Sequence, residues 1–144
     1  MRHKEIHQVA GQLGSLDCTH LHWGNCPTLL KGQYTGKDKI ATIVMEAVSD
    51  YDLWIWYPSI GYPGSNNDQT IWDKSPLHNA LVHNELDELD YDFEVGGEVF
   101  HHLYFLTDGI YPAVSRFVKA YLEPIGVDKR RFTKWQESCQ KDVE

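Results

Sequence analysis

The 144-residue chain is short of cysteine, of positive charge and of long apolar runs. Its three cysteines, Cys18, Cys26 and Cys139, are too few and too odd in number for a disulfide framework, and they fit a reducing compartment. The longest apolar run, residues 40–48, is too short to span a bilayer. The start, MRHKEIHQVAGQLGSLDC, lacks the apolar core of a secretory signal, so a soluble intracellular protein with no membrane partner is expected. Lys and Arg number 13 against 21 Asp and Glu, a net charge of −8, which argues against a surface that binds nucleic acid non-specifically. No phosphate-binding or dinucleotide-binding glycine loop is present, and no serine has a nucleophile-elbow context.

What remains is a core-forming composition. Hydrophobic residues make up 42%, with five Trp, eight Tyr and five Phe, enough for one domain of this length. Residues 1–10 read as a lead-in and residues 11–144 as the domain. Three strands are expected, at about 13–23, 40–48 and 53–60, forming an antiparallel meander. Residues 69–82 have helical spacing that Pro76 should split, with Asn66, Asn67 or Asp68 available as a cap. Residues 85–98 carry seven acids and read as a solvated insert with a hairpin turn at EVGGEVF. A strand is expected at 102–107, and helices at 112–122 and 127–144. A mixed α/β (α+β) sheet with helices packed on it follows. Seven of the 13 basic residues lie from Arg116 to Lys141, marking the region most suited to a polyanion.

Two carboxylates stand out. Asp17 interrupts the apolar segment GSLDCTHL, and Asp108 ends LYFLTDG. Burying an unpaired acid is costly, and a divalent cation such as Mg²⁺ or Mn²⁺ would relieve both. The plain alternative is that each caps a turn or pairs with a lysine. Asp68, before a helix, reads as ordinary capping chemistry, and Glu144 alone as a solvated helix residue. Cys18, His20, His22 and Cys26 are zinc-ligand types, but strand alternation does not close a tetrahedron readily, and it turns Cys18 away from Asp17, so the two sets should lie apart. Trp54, Trp56 and Tyr57 read as core.

Six segments occur in order: GSLDCTHLHWGNCP, GQYTGKD, EAVSDYDLWIW, GYPGSNNDQTIWDKSPL, LTDGIYP and QESCQKDVE. Together they resemble the plant transposon group of PIF/Harbinger DDE transposases, which are similar to Harbinger transposase-derived nucleases. The resemblance implies a ribonuclease H-like DDE catalytic domain. It implies catalytic roles for Asp17, Asp108 and Glu144, and a metal set of Asp17, Asp68, Asp108 and Glu144 holding Mg²⁺ or Mn²⁺. It further implies cleavage of DNA phosphodiesters by a two-metal mechanism, nuclear residence, a separate DNA-binding partner protein and homo-oligomers. Lys129, Arg130, Arg131 and Lys134 would contact the DNA backbone. Relatives continue past Glu144 and carry Arg where Gln140 stands, so a C-terminally truncated fragment is expected. A non-catalytic interaction module built on the same fold is the alternative reading, and a small zinc-binding module is a third.

Overall fold

The computed structural model describes residues 10–50 and 52–141. Strand β1 (Gln12–His22) begins the sheet, and a single helical turn, α1 (Lys31–Tyr34), follows in the Gly- and Pro-rich stretch. Strands β2 (Thr42–Ser49) and β3 (Ile55–Pro63) complete an antiparallel meander. Helices α2 (Asp68–Asp73) and α3 (Pro76–Val82) are split as the sequence predicts. Pro76 occupies the first turn of α3, Ser75 caps it by accepting from His78 N at 3.0 Å, and Asn67 caps α2 by accepting from Thr70 N at 2.8 Å. The acidic insert forms a 3₁₀ turn over Glu85–Leu89 and a hairpin of β4 (Phe93–Val95) and β5 (Glu98–Phe100), with Gly96 and Gly97 turning it. Strands β6 (Tyr104–Thr107) and β7 (Phe117–Val118) and helix α4 (Val127–Lys141) close the described chain.

The fold is mixed α+β around a five-stranded mixed sheet of order β3-β2-β1-β6-β7. The first three strands are antiparallel, whereas β6 runs parallel to β1 and β7 parallel to β6. Side-chain alternation sends Leu16, Val48 and Phe105 to one face, where they meet Trp72, Leu77, Leu86, Tyr111 and Phe117 in one apolar cluster. Trp72 is its centre, 4.9 Å from the Phe117 ring and stacked at 4.9 Å on His78. Ser15 and Leu106 point the other way and are also buried. Helix α4 lies against β6, with Gln136 Nε2 donating to Thr107 O at 3.0 Å and to Val118 O at 3.3 Å.

Two expectations fail. Residues 112–122 are not a helix. Phe105 N donates to Arg116 O at 2.8 Å, and Phe117 and Val118 join the sheet as β7. The apolar spacing suited a helix, but pairing with a buried strand satisfies the same side chains and the backbone as well. Trp54, Trp56 and Tyr57 are not core: they are 58%, 49% and 38% exposed. They lie at and beside an edge strand, where one flank has no neighbour to cover a large ring.

Candidate active site

Asp17 and Asp108 stand near the place where the sheet changes from antiparallel to parallel. The parallel register ends at Leu16↔Thr107, so Asp17 and Asp108 each stand one residue beyond that pair on adjacent strands. Asp17 is half-buried within β1, opposite Ala47, and its Oδ1 accepts from Cys18 N at 2.9 Å. It lines a cleft of about 260 Å³ with Thr19, Met45, Ala47, Ser49, Leu53 and Ile55. Asp108 begins the exposed turn after β6 and accepts from Gly109 N.

Asp68 opens α2 from the apolar-cluster side of the sheet. Burial lifts its carboxyl above the ordinary range; His20 opposes that shift, and the charge of Asp108 adds to it. The separation of Cys18 from Asp17 holds, since the register puts them on opposite sheet faces. Glu144 lies outside the described residues.

The loop that delivers Asp68 depends on a glycine. Gly64 N donates to Thr42 O at 3.0 Å, and a methyl at Gly64 would strike Thr42 Oγ1 while lying 2.5 Å from Tyr34 O and 2.8 Å from Thr42 O. Two of those atoms are backbone and cannot swing away. Gly64→Ala is expected to destabilise the protein by about 1–3 kcal/mol, as overpacking does. The check is the denaturant midpoint beside that of Gly32→Ala, where an added methyl meets nothing. Equal midpoints would refute the close-packing account.

Beneath Asp68 lies a polar network that the sequence reading did not find. Glu46 on β2 is 2% exposed. Its Oε2 accepts from Tyr111 OH at 3.4 Å and lies 4.0 Å from Cys18 Sγ. Tyr111 OH is 3.2 Å from Cys18 Sγ. Burial pushes the Glu46 carboxyl up to about 7 and the Cys18 thiol up to about 12, so that thiol is not a thiolate nucleophile near neutral pH. The signal was present in the sequence: Glu46 interrupts the alternation Val44, Val48 on a buried strand.

The four zinc-ligand types do not converge. Cys18 faces Tyr111, His20 Nδ1 lies 2.9 Å from Thr42 Oγ1, and Cys26 Sγ donates to Pro27 O at 3.7 Å. Among the described residues, the side chains that could hold a metal ion together are Asp87, Asp90 and His102, from the acidic insert read as solvated. A protein cation already sits there. Arg116 Nη2 donates to Asp87 Oδ1 at 2.9 Å and to Asp90 Oδ2 at 2.7 Å, while Nη1 donates to Asp90 Oδ1 at 2.7 Å.

The fold is that of a mixed α+β protein, with Asp17 on β1, Asp108 just past β6 and Asp68 at the start of α2. The sequence matches the plant transposon protein family over residues 1–144, and the chain belongs to that family. No curated protein and no solved structure matches it. Among the described residues, no helix is long and apolar enough to cross a membrane.

Proposed function

We propose that the chain is the catalytic region of a PIF/Harbinger-type DDE transposase, a divalent-metal-dependent DNA endonuclease with a ribonuclease H-like fold. The observation that carries this reading is the placement of Asp17 and Asp108 one step past the same parallel pair. Family membership points to transposition. The sheet order, with its antiparallel first three strands and parallel last pairs, suits the fold that the family resemblance implies.

Carboxylate oxygens are hard ligands for Mg²⁺ or Mn²⁺. The family pattern assigns the ion to Asp17, Asp68, Asp108 and Glu144, and the strand register sets the Asp17 side chain on the sheet face opposite Asp68. Such an ion supplies an activated nucleophile and stabilises the leaving oxygen of a phosphodiester. The exposed basic residues Lys129, Arg130, Arg131 and Lys134 of α4 would meet DNA phosphates, which position the duplex without reading its sequence. Nuclear residence, a separate DNA-binding partner protein and self-association belong to the same reading. The exposed Trp54 and Trp56 favour a second one, a non-catalytic interaction module on the same scaffold.

Calorimetric titration with Mn²⁺ separates the two. The parent is expected to bind, and the Asp17→Ala/Asp108→Ala double variant, folded by circular dichroism, is expected to lose at least tenfold in affinity. Equal binding by parent and variant sinks the acid-site reading, and a folded parent that takes up no Mn²⁺ moves the interaction module ahead.

A further inference from the structure

We propose that Glu46 and Tyr111 form a buried strut that positions the Asp108 turn, so that both act as positioning residues for the acid site. What the strut serves rests on the metal-site reading above; the strut itself rests on geometry alone.

Core packing does not account for a carboxyl at this position. Val44 and Val48 flank Glu46 on the same buried sheet face, and a third apolar side chain would extend their stripe. Replacing a buried ionic group by a hydrophobic one is often neutral or stabilising. A carboxyl does what an aliphatic side chain cannot: its two oxygens accept from several donors at once. Here the donors come from two separate elements.

The first is the Asp108 turn. Tyr111 N donates to Asp108 O at 3.3 Å, and the Tyr111 hydroxyl donates to Glu46. The ring between them is wedged edge-on against Trp72 and Phe117, each 6.1 Å away between centroids. A rigid phenol therefore connects the backbone of the turn to the floor of the sheet. Lys119 Nζ holds the outer side by donating to Tyr111 O and, at 3.5 Å, to Gly109 O. The second is β1, where Cys18 Sγ lies 4.0 Å from Glu46 Oε2 and 3.2 Å from Tyr111 OH. One carboxyl on β2 thus ties the acid-bearing turn to β1.

The test uses the full chain and two variants, Tyr111→Phe and Glu46→Gln. Tyr111→Phe keeps the ring and removes one hydroxyl; Glu46→Gln keeps the volume and removes the charge. The first readout needs no metal: the amide resonances of Asp108 and Gly109. In folded Tyr111→Phe these are expected to shift, while those of Gly96 and Gly97 in the distant hairpin stay in place. The second readout is Mn²⁺ affinity, expected to fall roughly tenfold or more in Tyr111→Phe, as when an outer partner of a ligand is removed. Phe93→Leu, a buried change outside the cluster that holds Tyr111, with ring neighbours Tyr91, Phe100 and Tyr104, is expected to cost stability and leave Mn²⁺ affinity within twofold. If the Asp108 and Gly109 amides do not move in Tyr111→Phe, the strut is wrong. If that variant does not fold, the same amide comparison in Glu46→Gln decides. If the parent binds no Mn²⁺, the metal reading fails on its own, and the amide shifts still decide the strut.

Discussion

Arg116→Ala is expected to lower stability by about 3–5 kcal/mol, the cost of breaking a buried ion pair from one side. The Arg116 and Asp90 side chains are only 9% and 10% exposed. The guanidinium fork donates to both oxygens of Asp90, to Asp87 Oδ1 and to Leu103 O. It ties the acidic insert to the residue that leads into β7. Truncation would leave the Asp90 carboxylate buried, with His102 and Leu103 N as its remaining partners. For a chain of this size the loss corresponds to a fall in melting temperature of roughly 10–15 °C. Arg116→Lys should recover only part of it, because a single ammonium cannot reproduce the fork. The pH dependence gives an independent check. Hydrogen bonds from Arg116, with help from His102 and Leu103 N, hold the Asp90 carboxyl well below the usual carboxylate range. That stabilisation is fully present above the unfolded value of 3.8 and is lost as pH falls below it. The acid-induced loss should be shallower in Arg116→Ala than in the parent. A melting temperature within 3 °C of the parent would show that the clasp is dispensable.

This clasp shows where sequence reading runs out. Asp87 and Asp90 lie in a run of acids that looks like a solvated face, and their common partner stands 29 and 26 residues further along. Nothing local announces the pairing. The antiparallel meander was legible because β2 is rich in β-branched residues and the turn signals bracket it. The parallel β1–β6 pairing has no local signature, since it joins residues some ninety positions apart. It is also what brings Asp17 level with Asp108. Residues 112–122 misled for the opposite reason. Val114, Phe117, Val118 and Tyr121 have helical spacing, but a sheet edge beside β6 offered backbone partners that outweighed it. Asp17 and Asp108 were visible as polar breaks in apolar segments. Glu46 was visible in the same way but lay inside a strand, where a lone acid draws less notice than one at a strand end.

Glu46 also sets the second large effect, a fall in stability as pH rises. Burial raises its carboxyl from an ordinary 4.5 to about 7, against the opposing pull of hydrogen bonds from Ser75 and Tyr111. A group raised in the folded state stabilises the fold fully below the unfolded value, and that contribution is lost as pH climbs through the folded one. The window runs from about 4.5 to about 7 and is worth about 3 kcal/mol. Asp68, also raised by burial, acts in the same direction. The parent is therefore expected to be less stable at pH 8 than at pH 5. Chemical denaturation at both values should show the drop, and Glu46→Gln should remove most of it, because the amide cannot ionise. If the parent is equally stable at both values, or if Glu46→Gln keeps the full slope, Glu46 does not titrate as its burial requires. The two predictions bound a stability maximum from both sides: Asp90 needs its charge kept, and Glu46 is most stable with its charge suppressed. The maximum should therefore fall between about pH 4 and 6, on the acid side of neutrality. An aliphatic residue at 46 would remove the upper limit, so the carboxyl carries a stability cost above pH 7 that its hydrogen bonds to Tyr111 and Cys18 offset only in part.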